Sequence, residues 1–531
     1  MSRLAPWLRL ALALALLNAL LTLGAPAASF WPQPGARVSL ELCAGVAGLA
    51  GWIAWRGGTA VRATRWLAAA SAALIAVHLL DVTATALFGR PLNLYWDGRH
   101  LGSVLAQHEV PAWQLAAAGG LLLLALAAVA GLAWACWRAV AHGLAARPVR
   151  FALLALCSLL VLARAADGLG GFESWRAFSE PVSKLVLRQA QFLVAQSRAD
   201  GAASRLSPSP AFGADLDALH GADVLVLFSE SYGVCTVDDP VQAQALAGPR
   251  DALAQAIAAS GRAVVSARVR SPTFGGGSWL AHGALLTGVD TRDPLDYDLL
   301  LTTRRPTLAQ HFAAHGYETV SWMPGLQRPW PEGRFFGFDR YVDASTMGYT
   351  GLPFGAWRIP DQAAMALLHA QELAAPAAAR KPRFVVFPTL NSHAPFHPLP
   401  PFVGDWGRLT GPTAYTPPQQ MHAMEEPTSW RDPVPAYLQS IALTWQWLGA
   451  YLREQAPPRL VVVLIGDHQP WARVSGSGND WDVPVHIIGA DPALLRRFER
   501  EGFQPGLLPG PNTLGAMQDL APLLSKVFAR P

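Results

Sequence analysis

Five apolar runs open the chain: Trp7 to Gly24, Val38 to Trp55, Trp66 to Phe88, Trp113 to Trp137 and Phe151 to Ala166. A helix that crosses a bilayer needs about 20 mostly apolar residues to span about 30 Å of hydrocarbon. The second to fourth runs meet that length, and the tryptophans at most of their ends suit the membrane–water interface. Arg164 interrupts the fifth run near its end, where a long side chain can reach back to the interface. The pattern predicts an α-helical membrane domain of about five transmembrane helices over residues 1–170. Next comes an amphipathic stretch in which Trp175, Phe178, Val182, Leu185, Val186, Phe192 and Leu193 recur by threes, fours and sevens. It predicts a juxtamembrane linker over 171–215, with Ser207-Pro208-Ser209-Pro210 marking a boundary near its end.

Beyond that boundary apolar strands alternate with helical stretches. Ala222–Phe228, Ala263–Arg268, Glu318–Trp322, Arg383–Pro388, Arg459–Ile465 and Val483–Ile488 read as strands. Helical patterns cover Asp251–Ala259, Thr307–His315, Asp361–Leu373 and Tyr437–Glu454. Near-continuous Val, Leu and Ile in strands that alternate with helices predicts a mostly parallel sheet covered on both faces, over residues 216–531.

Composition sharpens this picture. The 531 residues are 52% hydrophobic and 15% charged, against roughly 25% charged in an average soluble protein. That excludes a disordered chain and an ordinary cytosolic enzyme. Lys+Arg 41 against Asp+Glu 37 leaves +4, too little for a nucleic-acid footprint. The arginines are placed unevenly: Arg56, Arg62 and Arg65 follow the second run, and Arg138, Arg147 and Arg150 follow the fourth. The loop from Gly89 to Val110 balances Arg90 and Arg99 with Asp97 and Glu109. The positive-inside rule then puts the arginine-rich loops in the cytoplasm and everything after about Gly170 outside it. Reading the first run as a signal peptide cleaved near Ala25-Pro26-Ala27 leaves four spans and the same exterior domain. Cys43, Cys136 and Cys157 lie in the spans and Cys235 is alone outside, so the exterior domain has no internal disulfide to form.

Ligands of such sheets gather outside the carboxyl ends of the strands, and there the polar residues cluster. Ser229-Glu230-Ser231 follows the first strand, Asn391-Ser392-His393-Ala394-Pro395 follows Arg383–Pro388, and Asp467-His468-Gln469-Pro470 follows Arg459–Ile465. A glycine-rich loop, Gly275-Gly276-Gly277-Ser278, precedes a further helix. Taken singly these read as a flexible loop, a capping pair and a solvated acid; their common location makes them one site. Glu230, Asp467 and His468 form an O,O,N donor set suited to Zn or Mn. A serine hydroxyl completing that set becomes acidic enough to act as a nucleophile.

These motifs resemble the sulfatase-like branch of the alkaline phosphatase superfamily. The chain is most similar to the lipoteichoic acid synthase and periplasmic-glucan phosphoglycerol transferase families, with the phosphoethanolamine transferases as cousins. The resemblance implies that Glu230 and Gly466-Asp467-His468 hold the metal. It matches Gly276-Gly277-Ser278 through Leu286-Thr287-Gly288 to the families' nucleophile motif, making Ser278, rather than Thr273, the nucleophile. Ser392-His393 with Pro395 matches a substrate-phosphate histidine motif, Phe336-Gly337-Phe338-Asp339 another landmark, and Trp330 a headgroup-contacting tryptophan. Ser278 stands for their Thr, His282 for a Glu that the resemblance places beside substrate, and Met323 for a histidine. The segment Ser271-Pro272-Thr273 lacks the x-Pro-x-Arg sequence that a formylglycine sulfatase needs. Arg270 adds a phosphate contact or is a solvated loop charge.

The expected function is metal-dependent transfer of a phospholipid-derived headgroup, phosphoglycerol or phosphoethanolamine, through a phosphoserine intermediate. The acceptor is an envelope glycan or lipid, and the setting is the exterior face of a bacterial cytoplasmic membrane. A phosphodiesterase or phosphatase using the same site with water, and a non-catalytic membrane sensor or assembly factor, are the rival readings.

Overall fold

A computed structural model describes residues 5–24, 35, 37–57, 61–88, 92, 94, 111–166, 178–197, 206–213, 215–327, 330–425, 431–476 and 480–530. Ala25-Pro26-Ala27, the loop charges Arg90, Asp97, Arg99 and Glu109, and Trp175 of the expected linker lie outside those residues. The chain forms two compact units, Met1–Ala199 and Asp200–Pro531.

Every apolar run of the first unit is a helix: α1 (Ala5–Leu21), α2 (Leu40–Arg56), α3 (Val61–Phe88), α4 (Ala112–Gly143) and α5 (Arg147–Ala166). The stretches Val61–Ala84 and Ala112–Gly143 are long and apolar enough to cross a membrane, whereas α1 and α2 have 17 residues each. Leu121, Leu122, Leu123 and Leu124 of α4 are 58–68% exposed. Left in water, four such side chains forfeit about 1.5–3 kcal/mol each, a large share of a typical domain's net stability, so the helix requires an apolar surround. Several polar groups of this unit are paired. His78 Nε2 lies 2.7 Å from Leu23 O, Asp81 accepts from Leu92 N at 2.8 Å, and Trp137 donates to Ser71 at 3.0 Å. A sixth helix, α6 (Val182–Ser197), is tied to the start of α2, because Glu41 accepts from the amide and hydroxyl of Ser183.

The second unit is built on a nine-stranded sheet ordered β4-β3-β5-β1-β6-β7-β2-β8, with β9 pairing β2. The strands are β1 (Asp223–Ser229), β2 (Ala263–Arg270), β3 (Glu318–Met323), β4 (Arg340–Asp343), β5 (Arg383–Pro388), β6 (Leu460–Gly466), β7 (Asp482–Gly489), β8 (Gln504–Pro505) and β9 (Thr513–Ala516). From β4 through β6 every neighbour is parallel. The strand after β6, read from sequence as one more of a mostly parallel set, runs antiparallel to both β6 and β2. Alternating burial looks the same in either direction, so strand polarity is absent from the apolar pattern.

All seven residues of β1 and all seven of β6 are buried, as their unbroken apolar runs require. Their register sets Ser229 opposite Gly466, so the next residues, Glu230 and Asp467, leave the same edge side by side. On the other flank of β1, Phe228 faces Pro388 of β5, which brings the 389–393 loop to that edge too. Three adjacent strands thus deliver three polar loops to one place.

Candidate active site

The glycine loop completes the site. Gly275, Gly276 and Gly277 have φ of 66, 142 and 81°, conformations open to glycine and costly for other residues. Thr273 donates its hydroxyl to Gly276 O at 2.5 Å, and Gly275 N donates to Gln469 O at 3.0 Å. The loop is thereby docked on the segment that follows β6, and Thr273 is committed to holding it. Gly277 then hands the chain to α7 (Ser278–Thr287), whose first residue is Ser278. That helix N-terminus turns its positive dipole end toward the serine, an environment that favours an anion.

Four donors converge. Ser278 Oγ lies 3.1 Å from Glu230 Oε2 and 3.2 Å from His468 Nε2, and its one proton can serve only one of them. His468 Nε2 is 3.5 Å from Glu230 Oε1 and 3.7 Å from Asp467 Oδ2. A tetrahedral ion with bonds of about 2.0–2.2 Å needs donors about 3.3–3.6 Å apart, and these four separations, 3.1–3.7 Å, lie within about 0.2 Å of that range. The three ionisable members are 6% (Glu230), 1% (Asp467) and 1% (His468) exposed, and they are the group among the described residues able to hold a metal.

Neighbouring groups orient each donor. Asp467 Oδ1 accepts from the amides of Ser231 and His468, both at 2.7 Å. Glu230 Oε1 accepts from the Ser231 hydroxyl at 2.8 Å, and Glu230 N donates to Thr389 Oγ1 at 3.1 Å. His468 Nδ1 is 2.8 Å from Gln469 O, which fixes the proton there and leaves Nε2 as the ligating nitrogen. Burial and the adjacent Glu230 push the Asp467 carboxyl up to about 6. Burial alone would lower the His468 imidazole, but Asp467 and Glu230 outweigh it and raise its affinity for a proton. The bare cluster attracts positive charge at the point where its donors meet, which is what a cation site does.

Close packing holds these loops at this spacing. A Cβ on Gly466 would meet Tyr232 O at 1.8 Å, and one on Gly233 would meet Gln469 Oε1 at 1.8 Å. Ser231 takes φ 54°, a left-handed conformation, in order to reach both carboxylates.

The remaining nominated residues fall in different places. His393 Nδ1 lies 2.8 Å from Ala394 O, leaving Nε2 unprotonated, and burial lowers the imidazole's proton affinity. His282 lies one turn along α7 from Ser278 and packs on Phe228 with ring centroids 4.3 Å apart. Its Nε2 is buried without a hydrogen-bond partner, and burial pulls it down to about 4. Arg270 is 64% exposed and reaches Asp482 at 3.7 Å, with no described hydrogen bond to the cluster. Trp330 is packed over Gly333 and against Phe336 with ring centroids 5.7 Å apart, partly buried on the core.

The aromatic ring against His393 belongs to Trp357, with centroids 4.6 Å apart. Sequence reasoning also passed over Asp361, which is fully buried and accepts from Leu390 N and Asn391 N at 2.8 Å, bracing the loop that carries His393. An acid at the first position of a helix was the available signal, and it reads equally well as an ordinary helix start.

Residues 282–482 match the Sulfatase family model, a span that includes His393, Asp467 and His468 and begins after Glu230 and Ser278. No curated protein matches the chain. Among solved structures it is similar to a protein in the alkaline phosphatase superfamily from Vibrio parahaemolyticus, at 18% identity and TM-score 0.38, covering 58% of this chain and 66% of that one. It is also similar to the lipoteichoic acid synthase LtaP from Listeria monocytogenes, at 12% identity and TM-score 0.37, covering 58% and 72%. A third is the C-terminal periplasmic domain of EcEptC from Escherichia coli, at 11% identity and TM-score 0.38, covering 61% and 85%. The chain spans just under two thirds of the length of the first of these.

Proposed function

We propose that the second unit, whose residues 282–482 match the Sulfatase family model, is a sulfatase-like domain of the alkaline phosphatase superfamily, and that the protein transfers a phospho-headgroup from a membrane phospholipid through a phosphoserine at Ser278. The observation that carries this reading is the convergence of Ser278 Oγ with Glu230 and His468 at the N-terminus of α7. Glu230, Asp467, His468 and Ser278 would hold the divalent cation, Mn or Zn. When bound, it supplies Lewis-acid charge that lowers the pKa of the serine hydroxyl and offsets charge on phosphoryl oxygens.

Ser278 attacks phosphorus. An Oγ–P bond forms, the bond from phosphorus to the glycerol oxygen of diacylglycerol breaks, and the proton lost by Ser278 Oγ ends on the leaving oxygen. The N-terminal, positive end of the α7 dipole faces the anionic phosphoryl group. His393, with Nε2 unprotonated, accepts the proton of the incoming acceptor hydroxyl or amine as the acceptor–phosphorus bond forms and the Oγ–P bond breaks, and that proton returns to Ser278 Oγ. In this reading His282 lines the headgroup side, Trp330 would meet the headgroup with the part of its ring that the core leaves uncovered, and Arg270 supplies a distal positive charge.

The first unit supports a lipid donor. In this reading its helices make about five crossings, two of which, Val61–Ala84 and Ala112–Gly143, are long and apolar enough to cross a membrane; the uneven arginines favour an exterior position for residues 200–531 at a bacterial inner membrane, and α4 offers leucines to lipid. The acceptor is an envelope glycan or lipid. The test is release of diacylglycerol from fluorescent phosphatidylglycerol and phosphatidylethanolamine by the purified full-length protein with Mn or Zn. Ser278→Ala abolishes release while remaining folded and metal-loaded; wild-type turnover by that variant overturns the nucleophile. Release without any headgroup-labelled acceptor in cells favours the hydrolase.

A further inference from the structure

Resting on the chemistry above, we propose that Trp357 is the positioning residue that sets the imidazole of His393. The ring comes from a tight turn closed by paired backbone bonds, Phe354 N to Arg358 O at 3.0 Å and Arg358 N to Phe354 O at 3.2 Å. Gly355, at φ 57°, lets the turn press on Pro398, where a Cβ would meet the ring at 2.7 Å. Gln327 donates to Ala356 O at 2.5 Å. Opposite, a Cβ on Gly325 would meet the Trp357 ring at 3.3 Å and Leu390 at 2.8 Å, so the indole has little room to swing.

Against this held ring His393 stands nearly edge-on, with an interplanar angle of 63°. That is the favourable geometry for an aromatic pair, worth about 0.5–1.5 kcal/mol beyond burial. Ala394 O fixes one edge of the imidazole and Trp357 limits its rotation about that bond. Two constraints of different kind thus aim Nε2, and displacing a reacting group by about 1 Å can cost about 100-fold in rate.

The experiment is steady-state hydrolysis of bis(p-nitrophenyl) phosphate by the Mn-loaded full-length protein. It compares Trp357→Phe, Trp357→Leu, His393→Ala and the Trp357→Leu/His393→Ala pair. Leucine keeps apolar bulk and removes the ring; phenylalanine keeps a ring edge. The expected result is a roughly tenfold fall in kcat for Trp357→Leu with KM within about twofold, and recovery to within about threefold for Trp357→Phe. In the His393→Ala background Trp357→Leu then changes kcat by less than about twofold, because both act through one group. An equal loss in that background, or a rise in KM alone, overturns the proposal. Turnover of the probe by Ser278→Ala at the wild-type rate instead overturns the reading of the site on which it rests.

Discussion

Replacing Ser231 by alanine and by glycine separates two things that its position does. The hydroxyl donates to Glu230 Oε1 at 2.8 Å and the amide to Asp467 Oδ1 at 2.7 Å, so one residue orients two carboxylates. It does so at φ 54°, where a residue with a Cβ is strained by about 1–2 kcal/mol. Alanine keeps the amide and the strain and loses the hydroxyl bond. Hydrogen bonds to charged groups contribute about 1.5–3 kcal/mol. Glycine loses the same bond and releases the strain, which places it about 1 kcal/mol above alanine in stability. Both variants leave Glu230 less well aimed, and the loss of such a supporting contact lowers metal affinity about 10–100-fold. Calorimetric titration of Mn or Zn into the chelator-stripped protein measures the second effect, and thermal melting of the same samples measures the first. Metal affinities within about twofold of wild type in both variants, or a glycine variant that melts below the alanine one, would refute the argument.

Asp467→Asn removes one anionic donor from the cluster and is expected to reduce bound metal after dialysis; unchanged stoichiometry by elemental analysis contradicts the ligand assignment. Gly466→Ala places a Cβ 1.8 Å from a backbone oxygen of Tyr232, so it must part the loops after β1 and β6. Loss of metal binding together with a lower melting temperature is expected, and wild-type titration curves would speak against that spacing. Burial pushes the Asp361 carboxyl up to about 7, whereas an unfolded Asp titrates near pH ~3.9. The folded state therefore holds that proton more tightly, and the stability tied to it is full below about pH 4 and lost as pH rises through about 7. The metal-free Asp361→Asn variant should gain in melting temperature relative to wild type between pH 5 and 8; parallel profiles would sink the assignment.

The donors themselves were legible because each sits in the first residues after a fully apolar strand, and parallel strands bring such residues to one edge. Glu230, Asp467 and His468 needed only that rule, and Ser278 needed the glycine run ahead of it. What surrounds them was not legible. Trp357 reaches His393 through a turn closed between Phe354 and Arg358, and nothing in local spacing distinguishes it from Trp330, which lies on the core. Ser231 was visible as a neighbour of Glu230, but its left-handed backbone arises from contacts with a loop more than 200 residues away. The short strands β4, β8 and β9 escaped for a related reason: four residues or fewer carry too little periodicity to read.

The proposed reaction passes through a covalent phosphoserine at Ser278. The direct measurement is acid quenching of the metal-loaded protein during turnover of isotopically labelled phosphatidylglycerol or phosphatidylethanolamine, followed by peptide mass spectrometry. A labelled phospho-headgroup ester is expected on the peptide containing Ser278, absent from the Ser278→Ala variant. Label on another residue, or diacylglycerol release at the wild-type rate by Ser278→Ala, would contradict it.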